Sequence, residues 1–390
     1  MSRKRVFLYV QHLLGIGHLK RAVTVARALA ARGLEVTLAS GGIEVPGLAP
    51  EGVHFVQLPP AGAADLHFKA LVDAEGKPVG EDWENLRRKR LLAAWRAAAP
   101  HALVIELFPF GRRRMRFELL PLLEEARLAA CRPVIVSSVR DVLGGGQRDP
   151  ARQDAMLELF ERYFDHLLVH GDPAFLAFDR TFRHAARLGA RLHYTGYVVE
   201  RGAPGKASAA GKDEVIVSAG GGAVGEKLLE TAIRCRPLTS LAQRSWRLLA
   251  GVNAAPAVLE RLARLAGESG EGRVAVERSR ADFTTLLRNC SLSVSQVGYN
   301  TIMEILDAGA RAVVVPFAAG AETEQTLRAR LLAERGRVEL VDETALAPDT
   351  LAAAVDRAAR QARPARGGVD LAGAERSAEL IALWTAELAW

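Results

Sequence analysis

Long apolar runs are missing from this chain of 390 residues. None reaches the roughly 18 residues that a bilayer crossing requires, which excludes a membrane-spanning helix. Cysteine is scarce: Cys131, Cys235 and Cys290 are far apart and lack the spacing of a zinc site or a disulfide framework, so they read as reduced thiols of a cytoplasmic protein. Aromatic residues make up only 6% and are not interleaved with the basic runs, so no stacking platform for single strands is expected and nucleic acid is not among the predicted partners. The first residues, Met1 to Arg5, are basic, but the apolar stretch after them, Val6 to Val10, is too short for a signal segment and reads as a strand.

What is present is alternation. Strand-like runs at Val6–Val10, Val36–Ala39, Ala102–Leu107, Val134–Ser138 and His166–His170 are separated by helical patterns at about His18–Ala31, Trp83–Ala98, Pro121–Ala130 and Ala151–Phe164. Residues 59–83 lack periodicity and read as a loop or irregular insertion. Residues 200–213, containing R-G-A-P-G-K-A-S-A-A-G-K-D, have linker composition. The pattern then restarts with strands at Val215–Ser218, Arg247–Ala250 and Ala312–Val315. The organisation predicted is an α/β domain over 1–199, a linker over 200–213, a second α/β domain over 214–370, and a C-terminal helix over 371–390 that can pack back on the first domain.

The richest segment is Val294 to Gln325. A short strand enters the turn Ser295-Gln296-Val297-Gly298, a helix opens at Gly298-Tyr299-Asn300-Thr301, and a strand from Ala312 stops at Pro316. A helix tip behind such a turn offers N–H groups and positive dipole to an anion, most naturally a diphosphate. Ile302, Ile305 and Leu306 form the face to be buried, while Asn300 and Glu304 lie four apart on the opposite face. A carboxylate there can accept from both hydroxyls of a ribose; an ordinary exposed glutamate fits the same spacing. Upstream, Gly220-Gly221-Gly222 ends a strand before a helix, a geometry that lets backbone N–H groups approach a phosphate or sugar.

In the first half, Gly15-Ile16-Gly17-His18 sits at a strand's carboxyl end, where ligands of open α/β sheets bind. A dinucleotide fingerprint would need a third glycine where Lys20 stands. His18 is a candidate general base because imidazole titrates near neutral pH; a structural histidine is the other reading. Glu106, Arg112, Arg113 and Arg140 also follow strand ends and can converge with His18, the arginines suiting a carboxylate or phosphate on an acceptor. Asp141 is the second candidate base.

The segment 294–325 resembles the donor-binding half of GT-B glycosyltransferases, in particular the MurG-like group with a family 28 C-terminal domain. The group's pattern S-x-x-G-x-x-T-x-x-E, then a glycine, a strand ending V-P and a Gln-bearing helix start, is supplied by Ser295, Gly298, Thr301, Glu304, Gly309, Val315-Pro316 and Glu324-Gln325. Gly17-His18 matches the Gly-His that ends the group's first glycine turn. The resemblance implies a GT-B fold of two doubly wound Rossmann-like domains facing across a cleft, the first for the acceptor and the second for a UDP-sugar. It implies that Glu304 holds the ribose, that Gly220–Gly222, Tyr299 and Thr301 lie at the donor, that Phe283 belongs to the base-contacting loop, and that Glu324-Gln325 faces the sugar. Glu324 stands where the group usually has Gln, which leaves the sugar open.

The chain contains no Asp-x-Asp, the motif with which metal-dependent glycosyltransferases clamp the diphosphate. The expectation is therefore metal-independent, inverting transfer, with no cofactor beyond the UDP-sugar co-substrate (a UDP-N-acetylhexosamine among the candidates), to an anionic small-molecule or lipid-linked acceptor. The net charge of +7 and the basic runs Arg87–Arg90 and Arg112–Arg116 also suit a peripheral contact with anionic membrane. Two rivals share the pattern: a non-hydrolysing UDP-sugar 2-epimerase, for which Glu324 would be the extra carboxylate, and a non-catalytic nucleotide-sugar binder.

Overall fold

The computed structural model describes residues 3–13, 15–63, 70–144, 149–200, 208–219, 225–251, 254–269, 271–317, 324–366 and 368–388. The chain divides into two compact units, one formed by 1–200 with 369–390 and the other by 201–368.

The first unit opens with β1 (Arg5–Val10), α1 (Gly17–Ala31), β2 (Glu35–Ser40) and β3 (His54–Gln57). A short antiparallel pair, β4 (Gly62–Ala63) and β5 (Leu71–Val72), lies in the stretch that reads as irregular from sequence. Then come α2 (Glu81–Ala98), β6 (Ala102–Glu106), α3 (Arg116–Leu128), β7 (Val134–Arg140), α4 (Pro150–Tyr163), β8 (His166–His170), α5 (Ala185–Leu188) and β9 (Leu192–Tyr194). Seven strands pair in parallel in the order β3-β2-β1-β6-β7-β8-β9. Because side chains alternate along a strand, a sheet covered on both faces needs apolar residues at every position. Val6 to Val10 are all buried. Phe7 and Tyr9 join one core with Leu103 and Ile105, while Val6, Leu8 and Val10 join the other with Val104 and Val136.

The second unit carries β10 (Val215–Ser218), α6 (Glu226–Cys235), β11 (Trp246–Ala250), α7 (Pro256–Ser269), β12 (Val274–Arg278), α8 (Phe283–Asn289), β13 (Leu292–Gln296), α9 (Tyr299–Ala308), β14 (Ala312–Val315), α10 (Glu324–Glu334), β15 (Glu339–Leu340) and α11 (Pro348–Arg360). Its six parallel strands run β12-β11-β10-β13-β14-β15. Both orders reverse beside the first strand of the unit, the arrangement of a doubly wound sheet. A last helix, α12 (Gly373–Ala386), belongs to the first unit. Its Ala374, Ala378, Ile381 and Trp384 share a core with Leu19 and Val23 of α1, and Trp384 stacks on His166 with ring centroids 3.8 Å apart.

Local chemistry explains most boundaries. Asp149 caps α4 by accepting from the Ala151 N–H at 3.0 Å, with Pro150 in the first turn, where its missing N–H costs nothing. Gly309 closes α9 in the left-handed conformation. One boundary departs from sequence expectation. Pro121, read as a helix start, lies inside α3, which begins at Arg116. Burial of Glu118, Leu119 and Leu122 in that first stretch outweighs the lost hydrogen bond.

Glu118 matters because it meets Arg87. The basic run Arg87–Arg90, read from sequence as part of an exposed membrane-facing surface, is corrected at its first member: Arg87 is completely buried. Its Nε donates to Glu118 Oε2 at 2.8 Å and its Nη2 to Glu118 Oε1 at 2.9 Å. Nη1 donates to the carbonyls of Gly41 at 2.8 Å and Pro59 at 2.7 Å, and Nη2 reaches Gln11 Oε1 at 2.5 Å. Tyr9 completes the network by donating to Glu118 at 2.5 Å. One guanidinium thus ties down the turns after β1, β2 and β3. Gly41 is required for it, since a β-carbon there would overlap the Arg87 guanidinium.

Removing one partner of a buried ion pair leaves the other charge uncompensated, so Arg87→Met is expected to cost about 3–5 kcal/mol. The double change Arg87→Met with Glu118→Leu should cost less than Arg87→Met alone. Urea unfolding of both proteins measures this; a loss below about 1 kcal/mol for the single change would mean that the pair does not hold these turns.

Candidate active site

In the first unit the strand order reverses between β1 and β6, and the two ends meet there chemically. His18, in the first turn of α1, places Nδ1 2.8 Å from Glu106 Oε1 at the end of β6. Arg21, one helical turn further on, also donates to Glu106 Oε1. Glu106 is 3% exposed and His18 17% exposed, so the carboxylate lies behind the ring and the ring reaches the surface. Burial drives the His18 pKa down to about 3, with Arg112 and Arg140 acting in the same direction and Glu106 opposing them. For Glu106, burial pushes upward but is outweighed by His18, Arg21 and Arg112, which hold it well below the ordinary carboxylate range. Of the two groups facing Nδ1 the Glu106 carboxylate at 2.8 Å is nearer than the Arg21 guanidinium at 3.3 Å, so the neutral ring donates from Nδ1 to Glu106, which leaves the Nε2 lone pair as the acceptor.

Arg21 Nη2 also lies 3.3 Å from His18 Nδ1, Arg112 and Arg140 bear on the ring through their charge, and Arg112 Nε is anchored on the Gln11 carbonyl at 2.7 Å. Arg113 and Arg114 instead stand exposed in the turn that follows. Gly17 opens α1, and the N-cap residue Ile16 makes no side-chain capping bond. Asp141, the second candidate base, is fully buried, accepting from the Tyr197 hydroxyl at 2.8 Å and from the Val142 N–H at 2.9 Å, contacts that anchor the turn after β7. Behind Glu106, His170 at the end of β8 hydrogen-bonds Ser138 at 2.7 Å and Thr195 at 2.9 Å. Neither Arg21 nor His170 was evident as a site residue from sequence. The available signal was a charge on the apolar face of α1, among Ala22, Val25 and Ala26.

In the second unit the reversal lies between β10 and β13. Gly220, Gly221 and Gly222, expected at the donor, fall outside the described residues. Gly298 is extended and caps α9, whose first turn carries no acidic residue. Ile302, Ile305 and Leu306 are buried, while Asn300 and Glu304 are half-buried on the other side. Phe283 opens α8 and is half-buried, just after Asp282, which Arg280 grips at 2.7 and 2.8 Å.

Four of the residues expected at the donor are buried or have partners within the unit. Tyr299 is buried under the Arg328 guanidinium, 5.5 Å from the ring centre, and Thr301 is buried as well. Glu324, expected toward a sugar, is 4% exposed and paired with Arg328 at 3.0 Å, one helical turn along α10. Gln325 Oε1 accepts from the N–H groups of Val297 and Phe317, both at 3.1 Å, and so staples the turn before α9 to the end of β14.

The fold is shared with solved glycosyltransferases. The calicheamicin glycosyltransferase CalG4 superposes with a TM-score of 0.63 at 15% identity over 100% of both chains. MurG of Acinetobacter baumannii gives 0.59 at 14% identity over 97% of this chain and 99% of its own. The fold is therefore GT-B. More specifically, residues 269–367 match the glycosyltransferase family 28 C-terminal domain, so the chain carries the resemblance to the MurG-like group in its second unit. A curated relative, the UDP-N-acetylglucosamine--N-acetylmuramyl-(pentapeptide) pyrophosphoryl-undecaprenol N-acetylglucosamine transferase of Phenylobacterium zucineum (strain HLK1), is 34% identical over 107 residues, 26% of this chain. That match spans 29% of the relative's length.

All nine histidines lie in the first unit, and burial lowers the pKa of six of them: His12, His18, His101, His166, His170 and His193. A histidine held neutral stabilises the fold above its unfolded pKa of about 6.5, and that contribution is lost as pH falls toward the folded value. For a fully buried ring the loss approaches about 1.4 kcal/mol per pH unit. Between pH 6.5 and 4.5, amide exchange in β1 and β7, corrected for intrinsic rate, should accelerate much more than in β10 and β13. Equal acceleration in both units would remove the histidines as its cause.

Proposed function

We propose that the protein is a metal-independent, inverting glycosyltransferase that moves a sugar from a UDP-sugar, a UDP-N-acetylhexosamine among the candidates, to an anionic acceptor. The observation that carries the reading is the tip of α9, with Asn300 and Glu304 one turn apart on its polar side, inside the span of the family 28 domain. A diphosphate at the tip gains from the helix dipole, and Glu304 is within one turn to accept from the ribose hydroxyls. The curated relative's name specifies a UDP-N-acetylglucosamine donor, in line with a uridine nucleotide here.

In this reading His18 is the base. Its Nε2 takes the proton of an acceptor hydroxyl, whose oxygen attacks the anomeric carbon as the bond to the diphosphate breaks. The leaving electron pair goes to the diphosphate at the tip of α9. Burial keeps the ring unprotonated, the form a base needs, and Glu106 offsets the cost of charge once the proton has arrived. Arg112, Arg140 and the amide end of α1 at Gly17 supply the positive field for an acceptor phosphate or carboxylate. The epimerase alternative leaned on Glu324, and that carboxylate is paired with Arg328.

A ligand at 100 times its Kd adds roughly 2.7 kcal/mol of stability. In a thermal-shift panel, UDP and a UDP-sugar should therefore raise the melting temperature where adenosine nucleotides do not, and Glu304→Ala should abolish the response without lowering the ligand-free transition. A full UDP response in that variant would remove Glu304 from the site.

Turnover in excess EDTA is expected to match that in its absence, and UDP-N-acetylglucosamine incubated alone should yield no epimer. Loss of turnover on chelation, or appearance of the 2-epimer, would overturn the corresponding part of the reading.

A further inference from the structure

Acceptor-side chemistry in this protein depends on a residue that touches no substrate in the reading above. We infer that Arg21 is a positioning residue for the base: it shares one oxygen of Glu106 with His18, so that the carboxylate orients the imidazole while its charge is answered by the guanidinium. The inference rests on His18 being the base of the transfer reaction.

Three observations carry it. Both contacts fall on the same atom, Glu106 Oε1, and Oε2 meets no hydrogen-bond partner among the described residues. Arg21 and Glu106 are each almost wholly buried, with side chains 2% and 3% exposed, so bulk solvent screens neither charge. His18 and Arg21 are three residues apart on α1, hence on one side of the helix and one turn from each other, and the same backbone carries the base and the cation behind it.

A buried carboxylate with an imidazole as its one neighbour balances its charge by drawing a second proton onto the ring. The ring then becomes an imidazolium with no lone pair to offer. A guanidinium on the same oxygen removes that demand, and the carboxylate keeps only its orienting role. The remaining charges about the pair act in the same sense. Arg112, from the turn after β6, and Arg140, at the end of β7, both disfavour a charged His18. Arg112 also bears on Glu106. From β8, His170 is held neutral by burial, to which Arg21 adds. Against them stands Glu106 alone, and Arg21 is the cation in direct contact with it.

The test uses Arg21→Gln, which keeps a donor for Glu106 but not the charge, and Arg21→Lys, which keeps the charge. The His18 ring nitrogens are followed by 15N NMR across pH in the full-length, ligand-free protein, and transfer rates are measured alongside. In the wild type His18 should remain neutral with the proton on Nδ1 through the acidic range. In Arg21→Gln its midpoint should rise by about one pH unit or more. The acid limb of the kcat profile should move up in pH by the same amount, with KM for the acceptor within about threefold. Arg21→Lys should recover most of both.

A folded Arg21→Gln protein whose His18 titrates like the wild type would overturn the inference. So would an equal shift in Arg21→Lys, which would show that shape and not charge is at stake. A titration that shifts as expected while transfer is untouched would uphold the contact and instead remove His18 as the base.

Discussion

The Arg87–Glu118 ion pair is the constraint on which the carboxyl edge of the first unit's sheet depends. Loops at the carboxyl edge of a parallel sheet carry ligands because the strands stop there, and for the same reason little secondary structure fixes them. Here a single guanidinium, supplied from α2 and held by a carboxylate from α3, donates to backbone or side-chain oxygens after β1, β2 and β3. Gln11 extends the hold by donating to the carbonyls of His12 at 2.7 Å and Ala61 at 3.0 Å, and its own carbonyl receives Arg112. The residue that brings positive charge toward His18 is thus positioned by the same network that shapes the turn leading to His18.

The two units handle charge in different ways. In the first, ionisable side chains are buried together, and their mutual fields set each protonation state: His18 neutral, Glu106 charged, Arg21 between them. In the second, α9 begins on a glycine and carries no acid in its first turn, so no acid there opposes the positive end of the helix dipole. Side chains nearby, such as Gln325 and the Glu324–Arg328 pair, brace the backbone around that tip. A helix tip offers backbone and not side chains, which is why glycines and helix starts are its main trace in the sequence.

Several residues singled out from the sequence have partners that the sequence did not show. Asp141 follows a strand end and looks like a base, yet Tyr197 and the Val142 N–H hold it inside. Arg87 begins a basic run and looks solvated, yet it is buried in full. Glu324 and Tyr299 look like donor contacts, yet both meet Arg328. In each case the partner lies on another element or one helical turn away, and a one-dimensional pattern reports the charge without its partner.

The sequence by itself determined the alternation of strands and helices, the apolar face of α9 and its glycine-bounded start. It also determined the likeness of residues 294–325 to a nucleotide-sugar site and the presence of Gly17-His18 at a strand end. These features are local: periodicity, glycine and proline positions, and short spacings are properties of contiguous residues. Only the tertiary structure decided that Glu106, 88 residues away, stands behind His18, that Arg21 shares its oxygen, and that Arg87 faces Glu118. The reason is burial. Whether a charged side chain is a ligand, a base or a brace depends on how much water surrounds it and which opposite charge lies within a few ångströms, and both are fixed only when separate strands and helices pack together.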